Sequence, residues 1–444
     1  MIRFLRPFSP ASAGGAPPDG SGGFGSLYLA RLSMFGFGMT ALAMSFTIII
    51  LPTRILDVAP EESKNTYLGV LSFVGLMIAV IVQPVVGGLS DRARTRWGRR
   101  APFIMVGTVA SLPLIVAVGV APSYVLLFVF ICALQLTSNS AQGPYQGVIR
   151  DLIPQQRRGA ASGMKTLVEV AGALIITGVI GVLMGRYEDT DNFLWVWAAT
   201  GLLAATIVPG AIVTSTTVAR AMPRPTEERR EEPADDSTKA HPDYKWFLGS
   251  RFLIATAAAS MGTFALFFLE DSVGLENPAQ ELWKLLPVMG AAVLLVAYPA
   301  GVVADRLGRK PVMMAAGILG AIGAVLLLVV DGLAGVMVVA GVAGVAVGMF
   351  LGANWAMATD LVSTRRTAQQ LGYLNLATAG GAGVARLNGI WVDALNGPGG
   401  NTGYSVLIIL CGILFLVGTV LILNVQLDHR PRPTIDLATE DKPG

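Results

Sequence analysis

Two short polar turns hold most of the charged residues whose types and spacing could do chemistry. The first lies within residues 87–100 and contains Asp91 and the arginines Arg92, Arg94, Arg96, Arg99 and Arg100. A shorter version lies within residues 301–310 and contains Asp305, Arg306, Gly308, Arg309 and Lys310. In each turn a glycine lies four residues before the Asp-Arg pair, and a Gly-Arg-basic triplet, beginning at Gly98 or Gly308, follows it. Carboxylate and guanidinium groups this close together form charge-assisted hydrogen bonds.

The position of Asp91 indicates a role for the first turn. Asp91 ends an apolar run, where a carboxylate can meet the positive N-terminus of a neighbouring helix. Asp151 and its neighbouring arginines extend the same charge cluster. The simpler interpretation is a basic turn that only fixes orientation in a membrane, but the repetition and spacing favour a cluster that controls conformation.

A stripe of amide side chains follows the first turn in the sequence. Positions 135, 139, 142 and 146 share one face of a helix, and the stripe is built from Gln135, Asn139, Gln142 and Gln146, with Tyr145 beside it. Amides in hydrocarbon are costly unless they find partners or water, so this face points into protein or into a wet cavity. Neutral amides donate and accept hydrogen bonds, which suits an uncharged polyhydroxylated ligand such as a sugar. Hydrogen bonds between helices, without a ligand, are the alternative.

Charged residues inside apolar runs are functional candidates. Lys165 and Glu169 are four residues apart, so they can pair on one helix face, and Glu169 lies roughly 15 Å from the end of its span. Glu169 is either a proton-carrying carboxylate partnered by Lys165 or half of a neutralised pair packed between two halves of the protein. Arg386 either meets an acid such as Glu270, Asp271 or Asp393 or extends to the membrane surface.

The composition indicates that these residues lie in a membrane. The chain has 444 residues, 53% of them hydrophobic and 14% charged, with a mean hydropathy of +0.62, whereas soluble domains carry about 25% charged residues. Twelve runs approach the roughly 20 apolar residues of a membrane span, and all should be helices because open strands leave backbone groups unsatisfied in lipid. The predicted spans are Ser26–Leu51, Tyr67–Leu89, Ala101–Val120, Ser123–Val148, Ala160–Met184, Phe193–Thr214, Trp246–Leu269, Leu282–Val303, Val312–Val330, Leu333–Ala356, Leu371–Ala394 and Ser405–Val425.

The distribution of lysine and arginine predicts the orientation. Loops on one side hold both polar turns and most of the basic residues, whereas the opposite loops hold Arg54, Lys64, Arg186 and Lys284. We therefore expect both termini to be cytoplasmic in a multi-pass protein of the cell membrane. The predicted regions are a disordered tail (1–25), a six-helix bundle (26–215), a flexible linker (216–245), a second six-helix bundle (246–425) and a C-terminal tail (426–444).

The two bundles are predicted to be related to each other. Gly98 and Gly308 are 210 positions apart, and the pairs Gly143/Gly352, Asp151/Asp360 and Gly163/Gly372 are each 209 apart. Near-constant offsets indicate a duplicated six-span unit. Parallel repeats with a substrate between them at mid-depth are a recognised transporter plan.

The repeated turn and the duplication resemble the major facilitator superfamily over essentially the whole chain. The long first turn, followed by Ala-Pro-Phe-Ile at 101–104, resembles the glycoside–pentoside–hexuronide:cation symporters and the related sucrose transporters. The segments Gln142-Gly143-Pro144 and Arg150-Asp151-Leu152 are similar to those of sucrose transporters, with Arg150 in place of an alanine. The fold implied is an all-α integral membrane protein of twelve transmembrane helices in two pseudo-symmetric six-helix bundles.

The resemblance also implies roles for particular residues. It implies that conformational gating involves Asp91, Arg92, Gly98, Arg99, Arg100, Asp151, Asp305, Arg306, Gly308 and Arg309. Because spans one, four, seven and ten line the path in that family, substrate contacts are expected from Gln135, Asn139, Gln142, Tyr145, Asn354 and Trp355. Trp355 is either a surface on which a sugar ring stacks or an interfacial anchor. Proton coupling is assigned to Glu169, Lys165 and Arg386.

The expected function is therefore secondary active transport by alternating access, with protons driving symport of a sugar or glycoside. Sodium coupling is disfavoured because the second span has no carboxylate before Asp91, where sodium-coupled relatives have acids. Alternatives are proton-driven efflux of small apolar or cationic compounds and a non-transporting sensor with a transporter fold. We expect no enzymatic activity, no metal site, no cofactor beyond the coupling proton and no nucleic-acid partner, and we expect a monomer that contacts membrane lipid and its small-molecule substrate.

Overall fold

The structure is a computed structural model of the chain. It describes residues 25–93, 95, 97–153, 158–221, 243–275, 277–330, 332–361, 367–396 and 400–425. The predicted tails and most of the predicted linker lie outside these residues. Within the described residues, every regular element is a helix.

The described residues of the first half form eight α-helices. A π-helical segment, Phe46–Ile50, connects the first two, and a 3₁₀ turn, Glu61–Ser63, precedes the third. The helices are α1 (Ser26–Ser45), α2 (Leu51–Val58), α3 (Lys64–Arg92), α4 (Ala101–Gly119), α5 (Tyr124–Gln146), α6 (Val148–Leu152), α7 (Arg158–Thr190) and α8 (Leu194–Ala221).

In the second half, seven α-helices lie within the part of the chain that the structure describes. The first two are bent by 51° at a break after Thr263. The helices are α9 (Tyr244–Thr263), α10 (Ala265–Asp271), α11 (Pro278–Leu307), α12 (Arg309–Leu326), α13 (Gly332–Leu361), α14 (Thr367–Leu395) and α15 (Thr402–Leu423). The predicted linker 216–245 begins inside α8, because that helix continues to Ala221.

Each predicted span coincides with a helical segment. Of the described helices, ten are long and apolar enough to cross a membrane, and eleven if the bent pair α9 and α10 counts as one span. The long helix outside that set is α14, whose sequence includes Asn375, Arg386, Asn388 and Asp393. A helix that places polar groups against protein needs less apolar surface than one that faces lipid on all sides, so the prediction of twelve spans remains a prediction.

Arg54 does not lie in an exposed loop, as the sequence analysis supposed. The first span continues as a helix to Val58, and the Arg54 side chain is 2% exposed. It forms an ion pair with Asp57 and donates to Tyr187 Oη at 2.9 Å and to the Ala121 carbonyl oxygen at 2.8 Å. Burial of this cation is possible because acid, phenol and carbonyl groups surround it.

The packing of the two halves follows the same plan. In the first half the extensive contacts are α1 with α7, α1 with α8, α3 with α5, α4 with α5, and α4 with α8. In the second half they are α9 with α14, α9 with α15, α11 with α13, α12 with α13, and α12 with α15. Each pair has its counterpart at the equivalent place in the other half. The halves meet reciprocally, through α3 with α14 and α7 with α11.

Candidate functional site

Arg100 is the centre of the charge cluster around the first turn. Its guanidinium pairs with Asp91 Oδ1 at 2.8 Å and with Asp151, and it donates to the Pro144 carbonyl oxygen at 3.1 Å. Arg100 is 2% exposed, whereas Asp91 lies at the surface with 43% of its side chain exposed. One buried side chain therefore connects the end of α3, the start of α4, the end of α5 and α6.

Gly98 in the turn and Gly147 beside Arg100 allow this cluster to form. Gly98 has a φ of 84° and Gly308, at the same place in the second half, has a φ of 95°, a backbone region that favours glycine. At Gly147 an added Cβ would overlap the Arg100 guanidinium. Arg99 completes the cluster by pairing with Asp151 Oδ1 at 2.9 Å, whereas Arg92, at the end of α3, is exposed.

The second turn is built differently from the first. Lys310 Nζ donates to the carbonyl oxygens of Leu423 at 2.6 Å and of Val425 at 3.0 Å, which ties the start of α12 to the end of α15. Arg306 is exposed and Arg309 is half-buried. Asp305 lies on α11, but its side chain is outside the described residues.

A cavity of about 610 Å³ lies beside the first turn, between the two halves. It is lined by Gln83 and Pro84 of α3, by Gln146 of α5, by Asp91 and Arg100, and by a turn of α14 around Asn375. Helices from both halves therefore enclose a polar space at the end of the molecule that carries the charge cluster.

The predicted amide stripe forms a continuous hydrogen-bonded chain across two helices. Gln146 Nε2 donates to Gln83 Oε1 at 3.0 Å, Gln83 Nε2 donates to Asn139 Oδ1 at 2.6 Å, and Asn139 Nδ2 donates to Gln135 Oε1 at 2.8 Å. The amide groups of the stripe on α5 thus find hydrogen-bond partners in one another and in Gln83 of α3, as the interhelical alternative predicts. Gln83 and, of the stripe, Gln146 also line the cavity, whereas Gln135, Asn139 and Gln142 are not among its lining residues.

Gln142 and Asn354 differ from the rest of the stripe. Gln142 Oε1 and Asn354 Oδ1 are buried and accept no hydrogen bond within the described part of the chain. Asn354 is 2% exposed and lies on α13, the counterpart of α5. A buried acceptor without a donor is costly, so both amides are suited to receive a donor such as a ligand hydroxyl. The neighbouring Trp355 side chain is outside the described residues.

Tyr145, Lys165 and Glu169 form a single cluster inside the first half. Lys165 Nζ lies 3.6 Å from Glu169 Oε1 and 5.1 Å from the centroid of the Tyr145 ring, and Tyr145 Oη donates to Glu169 Oε1 at 3.5 Å. A Cβ at Gly36 of α1 would lie 2.5 Å from both Glu169 Oε1 and Tyr145 Oη. The predicted pair therefore exists, but it packs against α1 and α5 and not between the two halves. Tyr145, expected to contact substrate, lies with the proposed proton-coupling residues.

Arg386 occupies a different environment from either expectation. Its guanidinium Nη1 donates to the Ala382 carbonyl oxygen at 2.6 Å, and its Nε is buried and donates to no atom in the described chain. The candidate acids Glu270, Asp271 and Asp393 bind other groups. The predicted pairing of Arg386 with one of these acids is therefore wrong.

At the end opposite the charge cluster, polar side chains join the two halves. Lys64 Nζ of α3 pairs with Asp271 Oδ1 at 2.7 Å and with Glu270 Oε2 at 3.1 Å. Asp393 of α14 accepts from the backbone N–H of Thr66 at 2.6 Å and from Asn65 Nδ2 at 2.8 Å. Tyr404 Oη accepts from Asn65 Nδ2 at 2.9 Å and donates to Asp271 Oδ2 at 2.7 Å. These residues form a closure cluster that joins the halves at this end, namely Lys64, Asn65, Thr66, Glu270, Asp271, Asp393 and Tyr404.

The closure cluster was missed in the sequence, where Lys64 was counted only as a loop residue. One signal was present, since adjacent acids at 270 and 271 end a predicted span and an acid at 393 nearly ends another. The first N–H groups of a helix lack partners within the helix, and Asp393 supplies an acceptor to the start of α3. Only the packing shows that these acids face the other half.

Comparison with known proteins agrees with this geometry. The sequence profile of the family described as MFS/sugar transport protein matches residues 32–369. Solute carrier family 45 member 4 of Mus musculus is 25% identical over 169 residues, covering 35% of this chain and 20% of that protein. Sucrose transport protein SUC4 of Arabidopsis thaliana is 28% identical over 142 residues, covering 28% of this chain and 27% of that protein. The matches thus span about a fifth to a quarter of these relatives' own length.

A solved structure of the nucleoside transporter NupG shows the same fold. Its TM-score is 0.63 at 13% identity, and the match covers 90% of this chain and 99% of that one. The sequence family and the fold point to a transporter and not to an enzyme. With a helical membrane fold, a polar cavity between two related halves and a family match over most of its length, this chain belongs to the MFS/sugar transport protein family.

Proposed function

We propose that this chain moves a sugar or glycoside across the cell membrane by alternating access, coupled to protons. The observation that supports the mechanism best is the contrast between its two ends. One end is closed by hydrogen bonds and ion pairs between the halves, and the other holds a polar cavity of about 610 Å³. A rocking motion of one half against the other, about a point at the middle of the membrane, would open the closed end and close the open one.

The chemistry of the cavity region supports an uncharged polyhydroxylated substrate. The amides of Gln83 and Gln146 line the cavity, and the buried oxygens of Gln142 and Asn354 are acceptors suited to hydroxyl donors. The similarity to a sucrose transport protein of Arabidopsis thaliana supports the same class of substrate. We assign substrate contact to Gln135, Asn139, Gln142 and Asn354.

Proton coupling is assigned to Glu169. Glu169 shares its surroundings with Lys165 and Tyr145, so its charged form has a cationic partner and a phenol donor. Protonation of the carboxyl would release Lys165 from that pair. We propose that this change biases the packing of α7 against α1 and α5, with both termini on the cytoplasmic side and with the monomer as the working unit.

Counterflow of labelled sugars into proteoliposomes tests the proposal. Vesicles preloaded with an unlabelled disaccharide should accumulate the labelled one, and this exchange needs no ion gradient. Gln142→Leu should reduce the accumulation, whereas Gln280→Leu, on α11 at the opposite end, should not. If folded protein exchanges no mono- or disaccharide, the sugar assignment fails, and efflux of apolar or cationic compounds becomes the better function.

A further inference from the structure

A half-buried acid lies at the second contact between the halves, where α7 packs against α11. Glu188, near the end of α7, accepts from Thr53 Oγ1 at 3.3 Å. The backbone N–H of Ala279, in the first turn of α11, also interacts with the Glu188 carboxylate. Thr53 and Ala279 are 2% and 0% exposed. Glu188 therefore belongs to the first half but lies against the second, at the end that holds the closure cluster.

Asp393 occupies the equivalent place at the other contact between the halves. It lies near the end of α14, the counterpart of α7, and accepts from the first turn of α3, the counterpart of α11. A glycine about one turn before each acid packs on that same first turn. A Cβ at Gly185 would lie 2.6 Å from Gln280 Cβ, and one at Gly389 would overlap the Asn65 carbonyl oxygen. Closure of this end therefore places one acid at each contact between the halves.

The two acids differ in how well their surroundings accommodate a negative charge. Asp393 accepts from the backbone N–H groups of Asn65 and Thr66 and from Asn65 Nδ2. Glu188 Oε2, in contrast, is buried and has no hydrogen-bond partner in the described part of the chain. A buried carboxylate oxygen without a donor disfavours the charged form of the acid.

Neighbouring charges act on Glu188 in the same direction. Glu270 of α10, in the other half, and Asp189 of α7 both repel a charge on Glu188. The described cations at this end either are exposed, as Arg186 is, or pair with other acids, in the pairs Arg54–Asp57, Lys64–Glu270, Lys64–Asp271 and Lys284–Glu281. Closing this end thus brings a carboxyl group without a cation of its own toward Glu270.

We propose that Glu188 takes up a proton from water when this end of the molecule closes and releases it when the end opens. Separation of the halves would expose the carboxyl group to water, where its charged form is stable. In the closed state the neutral carboxyl group still offers an oxygen to Thr53 and Ala279, and the repulsion by Glu270 is removed. The closed state therefore binds one more proton than the open state, and acid favours closure.

This proton site is separate from the one assigned to Glu169, which packs inside the first half against Lys165 and Tyr145. The inference rests on the alternating access proposed above, because a molecule with one fixed conformation would not expose Glu188 to water.

The distance between spin labels at Leu194 and Ser272 tests the proposal, since both positions are exposed and lie in different halves. The full chain in lipid nanodiscs is measured from about pH 5 to about pH 8, with Cys132 and Cys411 replaced in every sample. Glu188→Gln keeps the shape of the side chain in a neutral form. Asp189→Asn, at the exposed neighbouring position on α7, is the matched control. Thermal unfolding at each pH reports whether each protein is folded.

We expect the ratio of open to closed molecules to rise about tenfold or more from about pH 5 to about pH 7 in the unaltered chain, because one proton changes such a ratio by at most about tenfold per pH unit. Glu188→Gln should stay closed across the range, and Asp189→Asn should follow the unaltered chain.

A ratio that does not change with pH in the unaltered chain would overturn the proposal, whether or not any variant folds. So would a pH dependence that persists in Glu188→Gln. The measurement needs no sugar, so a lack of counterflow would contradict the proposed function and not this proton site.

Discussion

At the scale of single residues, Arg100 and Arg92 show how burial determines the contribution of a charged side chain to stability. The two arginines belong to the same turn, but Arg100 is enclosed by two carboxylates and a carbonyl oxygen, whereas Arg92 is exposed. An exposed charge contributes little to stability. Removal of one partner from a buried pair leaves the other charge uncompensated, at a cost of about 3 to 5 kcal/mol.

We therefore predict that Arg100→Gln lowers the free energy of unfolding by about 3 kcal/mol. The reason is that Asp151, with 7% of its side chain exposed, would keep only Arg99, 40% exposed, as a cationic partner. Arg92→Gln is the matched control and should leave stability within about 0.5 kcal/mol. Thermal or denaturant unfolding in a fixed detergent measures both, and similar stability of the two variants would show that the cluster is not structural.

A second prediction at this scale concerns Glu169. Glu169→Gln keeps the size of the side chain but cannot exchange a proton, so accumulation driven by a pH gradient should be lost while counterflow continues. Asp189→Asn is the control, because Asp189 is an exposed acid on the same helix, α7. Uptake and counterflow are measured in the same proteoliposomes. Retained pH-driven uptake by Glu169→Gln would remove this residue from the coupling mechanism.

At the scale of helices, glycines set the distance at which the halves meet. An added Cβ at Gly69 of α3 would overlap the carbonyl oxygen of Arg386 on α14, and one at Gly389 of α14 would overlap that of Asn65 on α3. On the other contact between the halves, a Cβ at Gly181 of α7 would lie 2.8 Å from Trp283 Cβ. Small residues permit this close approach of helices in membranes.

We predict that Gly69→Val prevents α3 and α14 from closing together and abolishes counterflow, because alternating access needs both closed states. The protein should still insert and fold, since each half has its own packing. Gly201→Val is the control, because Gly201 lies exposed on α8 where an added Cβ meets no atom within 4 Å, and this variant should exchange substrate normally. Normal counterflow by Gly69→Val would show that this crossing does not have to close.

At the scale of the whole molecule, the closure cluster joins two separately packed halves at one end. Lys64 is 206 and 207 residues away in sequence from the acids that it pairs with. These bonds connect the start of α3 to the end of α10, and breaking them removes no contact inside either half. We therefore expect the cluster to affect the equilibrium between conformations more than the stability of the fold.

Lys64→Gln is predicted to shift that equilibrium toward separation at this end. Spin labels at Glu61 and Thr402, both exposed and in different halves, should show a longer mean distance in the variant, with Cys132 and Cys411 replaced in both backgrounds. Lys284→Gln is the control, because Lys284 pairs at 2.8 Å with Glu281 of its own helix. An unchanged distance distribution in Lys64→Gln would mean that other contacts hold the closed end.

The sequence determined the features that depend on neighbours along the chain. Hydropathy located a helix at each predicted span, helical spacing put Lys165 beside Glu169, and the repeated turn identified Gly98 and Gly308 as equivalent positions, which share a positive φ in the structure. Such features follow from the geometry of one helix or one turn. The family resemblance, based on these local motifs, was confirmed.

Only the tertiary structure decided which distant groups meet. In the structure Asp151 contacts Arg100, and Lys64 contacts Asp271. Tyr145, which was expected to contact substrate, contacts Glu169 instead. Arg386 binds a carbonyl oxygen of its own helix and not one of its candidate acids. Glu188 lies against the first turn of α11. Helix periodicity fixes the face on which a side chain lies, but its partner depends on the rotation and crossing of whole helices, which are set by packing against several neighbours at once.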